Sequence, residues 1–339
     1  MRILVTGATG RIGSHLTRAL IRDGHVVRAL ALPGDPQADA LAAHRVGVVY
    51  GRLEAPEALA VAARDVQAVY HLAAALSSRN HTDEQFFEYN LRGTFNLLMA
   101  VRAQAPHLQQ FVYASSDAVY WSGSPAGACY LPIDEAHPRL HGTIYGASKA
   151  AAEELCLSFW RGFGIPVTIL RFGATTDARE LVAPQSVFGR WLFLRAAIGA
   201  LSGQQQPTAD QAEALAVLKG LDNGREQAVI LADPDGRPEV RQWADARDIA
   251  AGCVRVLSAP ASIGETFNLG GAAPFSTEAL VTYLAARLDL PYVTACLPTA
   301  RPAWYLSSAK ARGLLGYEPR RTVFDMVDEA VADGGPILA

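Results

Sequence analysis

Tyr145 and Lys149 stand four residues apart in YGASK (145–149), a spacing that puts both side chains on one face of a helix. An ammonium beside a phenol favours the phenolate and lowers the tyrosine pKa towards neutrality. A tyrosine tuned in this way takes the proton of a carbinol while hydride leaves the carbinol carbon. Ser116 lies 29 positions before Tyr145, in ASSDAVY (114–120), and offers a hydroxyl to the same substrate oxygen. YxxxK also occurs on ordinary surface helices, where the tyrosine packs and the lysine is solvated. The serine at a strand end is what turns the pair into a candidate for proton transfer.

A departing hydride needs an acceptor, and MRILVTGATGRIG (1–13) supplies a place for one. Ile3, Leu4 and Val5 form an apolar strand, Gly7, Gly10 and Gly13 make a tight turn, and HLTRALIRDG continues as a helix ending at Gly24. Gly7 permits the turn, Gly10 lets backbone approach a pyrophosphate, and Gly13 lets helix and strand pack closely. The helix N-terminus then presents free N–H groups to phosphate. A glycine triplet between a strand and a helix is the context that gives dinucleotide binding its specificity.

These groups must be held by a parallel sheet. Strand-like runs at Val26–Leu30, Val46–Tyr50, Ala68–Leu72, Gln110–Ala114 and Val167–Arg171 alternate with helical patterns at Pro56–Arg64, Asp83–Arg102 and Tyr145–Phe163. That alternation predicts an α/β fold of the Rossmann type, a doubly wound parallel sheet with helices on both faces. The pattern changes after Phe172. Helices are expected at Ser186–Leu201, Ala209–Leu221, Ala246–Leu257 and Thr277–Leu288, with a strand at Thr266–Leu269. Residues 1–174, joined again by 241–270, are therefore expected to form the dinucleotide-binding domain. Residues 175–240 and 271–339 are expected to form a smaller substrate-binding cap over the carboxyl edge of the sheet, where open parallel sheets bind ligands.

Composition narrows the function classes. The net charge of −3 and the lack of a long basic run argue against a nucleic-acid partner. The four cysteines, Cys129, Cys156, Cys253 and Cys296, form no CxxC pair, which argues against a metal site and for reduced thiols. The longest apolar window, Val187–Leu201, is interrupted by Arg190 and Arg195, so no membrane span is expected. The first strand begins close to Met1 and leaves no space for a leader, so the expected location is cytoplasmic.

Several segments together resemble the extended short-chain dehydrogenase/reductase family, also called the NAD-dependent epimerase/dehydratase family. They are TGATGRIG (6–13), HLAA (71–74), NLRGTFNLL (90–98), SSDAVY (115–120), PIDE (132–135), YGASKAAAE (145–153), ARDIAAG (246–252) and FNLGG (267–271). The resemblance implies an NAD(P)-dependent enzyme acting on a secondary carbinol of a sugar or sugar nucleotide. By position it makes Ser116 the catalytic hydroxyl, Tyr145 the base and Lys149 its partner, which also holds the nicotinamide ribose. It assigns Asn90 to support of the active-site helix. The expected cofactor contacts are Gly7, Gly10, Arg11, Ile12, Gly13, Arg52, Leu53, Leu72, Ala73, Ala74, Asn90, Tyr145 and Lys149. It also implies a homodimer in which the helices near 83–102 and 145–163 pair across a two-fold axis, with Leu97, Leu98, Leu155 and Phe159 as apolar contributors.

The chain departs from that pattern in places. Ala31 stands where NAD enzymes place an acid for the ribose hydroxyls, and Asp35 comes only later. Arg11 and Arg52 suit a 2′-phosphate, yet each also reads as a solvated arginine. NAD is the expected cofactor, with NADP left open. Arg171-Phe172-Gly173-Ala174 lacks the asparagine that binds diphosphate in sugar-nucleotide epimerases. Arg241 matches a diphosphate clamp, or else pairs with an acid such as Asp245. Asp117 reads as a candidate acid at the substrate or, preferably, as a backbone-capping loop residue, and Trp121 as a stacking platform at the substrate or a core plug. Epimerase and dehydrogenase or reductase chemistry both remain open, the latter on a non-nucleotide sugar or small alcohol. A non-catalytic dinucleotide-binding redox sensor is the reading from another class.

Overall fold

Ile3, Leu4 and Val5 are wholly buried in β1 (Arg2–Thr6), as expected of a strand covered on both faces. The computed structural model describes residues 1–44, 46–76, 81–124, 126–203, 206–299 and 302–334. Around β1 lie β2 (Val26–Ala31), β3 (Gly47–Tyr50), β4 (Ala68–His71), β5 (Gln110–Ser116), β6 (Val167–Phe172) and β7 (Thr266–Leu269). They form one seven-stranded parallel sheet in the order β7-β6-β5-β4-β1-β2-β3. Strand order reverses between β1 and β4, which opens a crevice at their carboxyl ends. The fold is the predicted Rossmann-type α/β architecture.

Helices cover both faces. α1 (Arg11–Arg22) buries Leu16 and Leu20 beside Ile249 and Cys253 of a later helix, Ala246–Val256. On the other face, Gly93–Gln104 (α2) and Ile144–Phe163 (α3) bury Leu97, Leu98, Cys156 and Phe159 beside Phe111 and Ile169. Label the helix Ala246–Val256 α4. Thr143 caps α3 by accepting the Gly146 N–H at 3.0 Å, and Gly164 closes it in a left-handed conformation with φ 72°. Leu97, Leu98 and Phe159 are therefore spent on the subunit's own core and have no surface for a partner. Among the large apolar side chains exposed on these helices are Phe95, Met99, Ile144 and Phe163.

The predicted helix 83–102 is interrupted. Phe87–Arg92 widens into a π-helical turn between Asp83–Phe86 and α2. Such turns concentrate at functional sites. This one carries Asn90. The predicted helix Ser186–Leu201 begins later, at Leu194. Phe193 is extended and bridges to Ala228, and Gly189 packs so close to the Pro184 carbonyl that the chain forms only a short 3₁₀ turn there.

A second apolar cluster joins Phe193, Ile230, Trp243, Phe275, Leu284 and Met326. Its scaffold includes parallel strands Ala228–Ala232 and Tyr292–Cys296 and the helix Val323–Ala332. The tail is not uniform. Ala311, Leu315 and Tyr317, in a stretch expected within the cap, are buried in the sheet-side cluster with Val5 and Ile249. Among the described residues no helix is long and apolar enough to cross a membrane.

Candidate active site

The glycine turn is shaped by backbone contacts. Gly7 has φ +71°, and a Cβ there would meet the Ala73 amide nitrogen at 2.8 Å. The Gly10 N–H donates to the Gly7 carbonyl at 3.0 Å. At Gly13 a Cβ would lie 2.0 Å from that same carbonyl, so α1 can rest on the turn only with glycine there. Thr6 Oγ1 accepts the Ala73 N–H at 3.2 Å and fixes the end of β4 beside the turn.

Two cavities run along this floor and share Gly7 and Ala74. One, of about 260 Å³, is lined by Gly10, Arg11, Ile12, Gly13, Leu72, Ser116, Tyr145 and Lys149. The other, of about 380 Å³, is lined by Ala31, Asp35, Arg52, Leu53 and Ala73. Their small residues and bare backbone leave the space that a dinucleotide's pyrophosphate requires. Arg11 is engaged elsewhere: its fork closes on Glu180 at 2.6 and 2.5 Å. That leaves Arg52 as the arginine facing the second cavity. Asn90 sits deeper. It accepts the Ala75 N–H at 2.7 Å and donates to the Ala75 carbonyl and to Ser148 of α3 at 3.0 Å, joining the loop after β4 to the Tyr145 helix.

Ser116, Tyr145 and Lys149 meet at the mouth of the smaller cavity. Ser116 Oγ accepts the Ala118 N–H at 3.2 Å, which orients it at the end of β5. The tuning of the tyrosine differs from expectation. Burial pushes the Tyr145 phenol up to about 12, the Ser116 hydrogen bond pulls it back, and the Asp117 charge adds to the rise. Lys149 lies with its ammonium 4.6 Å from the centre of the Tyr113 ring. Burial lowers Lys149 to about 8, opposed by Cys156 and Glu153. The expected pull of the Lys149 ammonium does not enter this balance, in which desolvation dominates.

Glu153 anchors the platform beneath. Almost fully buried, it accepts from Ser115 at 2.6 Å and from Arg171 at 2.8 and 2.6 Å. Arg171 in turn donates to the Tyr120 hydroxyl at 2.7 Å.

Beyond Tyr145 opens a cleft of about 510 Å³. Four tryptophans line it: Trp121, Trp191, Trp243 and Trp304. Trp121 and Trp304 meet edge to face with centroids 5.1 Å apart. Asp117, expected to cap backbone, turns its carboxylate into this cleft, where the Trp304 indole N–H donates to it at 2.9 Å. Burial raises the Asp117 pKa, while Trp304, Ser116, Arg241 and the Ala118 backbone N–H, a capping contact of the expected kind, hold it down. Arg241 does not pair with Asp245. It pairs with the buried Glu239, and Asp245 holds Arg247 at 2.6 Å. Trp304 and Trp191 stand far from any motif, and Glu239, though two residues before Arg241, carries no pattern of its own. The signal available was the count of five tryptophans, four of which converge here.

The NAD dependent epimerase/dehydratase family profile matches residues 3–270. A short-chain dehydrogenase/reductase superfamily protein from Agrobacterium tumefaciens, crystallised with bound NAD, superposes with a TM-score of 0.87. It shares 33% identity over 98% of this chain and 96% of its own. An uncharacterised UDP-glucose epimerase of Bacillus subtilis (strain 168) is 27% identical over 98% of this chain and 97% of its length. A dTDP-glucose 4,6-dehydratase of an Actinoplanes species is 28% identical over 98% and 97%.

Proposed function

The chain belongs to the NAD dependent epimerase/dehydratase family, and we propose that it binds NAD along the Gly7–Gly13 floor and moves a hydride at a secondary carbinol of a sugar or sugar nucleotide. The observation that carries this reading is a junction: Tyr145 lines both the smaller floor cavity, together with Ser116 and Lys149, and the tryptophan-lined cleft.

Bound NAD supplies the hydride acceptor and donor. Tyr145 Oη takes the carbinol proton as the carbon is oxidised and returns it on reduction. The Ser116 hydroxyl holds the carbinol oxygen, so substrate and base share one hydrogen-bonded corner. Lys149 holds the nicotinamide ribose and, as a cation, favours the phenolate. An epimerase keeps the keto form in the cleft until hydride returns to its other face. Tryptophan ring faces suit the apolar face of a pyranose. The Ser116-Asp117-Ala118 run lacks the glutamate of a 4,6-dehydratase, so we do not propose dehydration.

One observation favours a dehydrogenase or reductase of a non-nucleotide substrate as the second reading. Arg241, the candidate diphosphate clamp, is already paired with Glu239 and influences Asp117. We further propose a homodimer in the cytoplasm, its subunits joined through α2 and α3 at Phe95, Met99 and Phe163.

Mass spectrometry of nucleotide released from the purified protein, followed by NMR of UDP-glucose incubated with the holoenzyme, tests the reading. An epimer forming without net NADH supports the first form. Stoichiometric NADH from a free sugar supports the second. No released or added dinucleotide bound, and no turnover of either substrate, would sink both.

A further inference from the structure

The outer face of the sheet carries a groove of about 750 Å³ between α1, α4 and the loop 316–321. None of its residues lines the dinucleotide floor or the tryptophan cleft. Six arginines line it, namely Arg18, Arg22, Arg247, Arg255, Arg320 and Arg321, against the acids Asp23, Asp248 and Glu318. The whole chain has the opposite sign, with a net charge of −3.

Two of these acids already have partners. Asp248 accepts the backbone N–H groups of Arg320 and Arg321 at 2.8 Å each and the Arg321 guanidinium at 2.7 Å, which pins the loop to α4. Asp23 lies 3.7 Å from Arg22. Arg247 is held by Asp245 and Glu329 outside the groove's acids, and His15 by Asp177. Arg18, Arg255 and Arg320 are exposed, and among the described residues none of them makes an ion pair. They come from three separate segments yet face one concavity. Like charges in a recess raise a focused positive potential. Guanidinium forks match phosphate oxygens, and a recess of this volume suits a small ligand rather than a broad surface.

We propose that this groove binds a small oligophosphate, a ligand with two or more linked phosphates, free or carried by a nucleotide. The test titrates inorganic tripolyphosphate by calorimetry into protein saturated with NAD, so that the dinucleotide floor is filled. The expected result is salt-sensitive binding that Arg18→Ala/Arg255→Ala/Arg320→Ala weakens about tenfold or more. Arg179→Ala, which removes an exposed arginine elsewhere, should leave it unchanged. ATP binding as tightly as tripolyphosphate would support recognition of the phosphate chain alone. Tighter ATP binding would support a nucleotide ligand. If the triple variant fails to fold by circular dichroism, Arg255→Glu alone serves in its place. The proposal is overturned if tripolyphosphate does not bind, if sulfate at matched ionic strength binds as tightly, or if the arginine variants keep wild-type affinity.

Discussion

The two sides of the central crevice are built from different materials. On the floor, glycine and alanine backbone packs on backbone, and a methyl group at Gly13 would fall 2.0 Å from the Gly7 carbonyl. On the opposite wall, Trp121 and Trp304 meet edge to face, and Asp117, Glu239 and Arg241 lie among four tryptophans. A backbone surface offers a ligand its shape and its N–H groups, which any dinucleotide can use. A side-chain surface offers charge and ring faces that can change residue by residue. On the proposed function the floor fixes the kind of chemistry, and the wall selects the molecule on which it is done.

The largest effect is expected where the two sides meet. Tyr145→Phe should fold and keep its affinity for NAD, because only the hydroxyl is removed and the ring is kept. Turnover should fall by roughly 10²–10⁴-fold, the usual contribution of a general acid–base group. Near-normal turnover on a true substrate would take Tyr145 out of the chemistry and leave the junction without a base.

Within the floor, two glycines separate shape from ligand. Gly13→Ala forces a methyl into the turn and should destabilise the fold by about 1–3 kcal/mol, read as a lower thermal midpoint. At Gly10 the nearest atom to a Cβ is the Gly7 carbonyl oxygen at 3.2 Å, so Gly10→Val should stay folded by circular dichroism. Its loss should appear in calorimetric NAD affinity instead. A Gly10→Val protein that binds NAD undiminished would place the dinucleotide elsewhere.

Lys149 gives a smaller, pH-dependent contrast. Burial holds its folded pKa at about 8, against an ordinary 10.5. Between those values the unfolded chain keeps a proton that the folded chain has lost. The unfolded state thus binds more protons, and this group's contribution to stability rises with pH across that window, by at most about 1.4 kcal/mol per unit. Below about pH 8 both states are protonated and the contribution is flat. The Tyr145 phenol, raised to about 12, works oppositely above pH 10. Denaturant midpoints for wild type and Lys149→Met from about pH 7.5 to 9.5 isolate the lysine. Equal slopes for the two proteins would show that its ammonium carries no burial cost.

The same contrast explains what could be read from the residue order. The strand–turn–helix at residues 2–22 is local, and each glycine answers to atoms within a few positions or on the neighbouring strand. Ser116, Tyr145 and Lys149 sit at strand and helix ends whose boundaries the apolar pattern already marks. The wall is non-local. Trp304 reaches Asp117 across 187 positions, and on the floor Glu180 takes Arg11 across 169. No periodicity encodes such meetings. Even the local choice at Arg241, between a diphosphate clamp and a neighbouring acid such as Asp245, falls to a different neighbour, Glu239. The start of the helix at Leu194 was hidden for a similar reason, since a bridge from Phe193 to Ala228 overrides an apolar run that reads as helix.

The smallest effect is expected at Arg52, on the adenosine end of the floor. Ala31 puts no carboxylate at the end of β2, and Arg11, the other candidate cation, is bound to Glu180. Arg52 is exposed and lines the cavity with Leu53, Asp35 and Glu54, two of them acids. Those acids offset its attraction for an extra phosphate, and solvent screens what is left. Arg52→Asp should therefore change NAD affinity by less than about threefold, a few tenths of a kcal/mol to 0.7 kcal/mol. NADP affinity should shift little more. Were Arg52 a true phosphate partner, the charge reversal would cost NADP about one to two decades, the worth of one charge-assisted contact, and spare NAD. Parallel calorimetric titrations of both dinucleotides decide between these outcomes. Wild-type protein binding NADP at least about tenfold tighter than NAD would make the floor selective at its adenosine end as well, and the contrast with the wall would narrow.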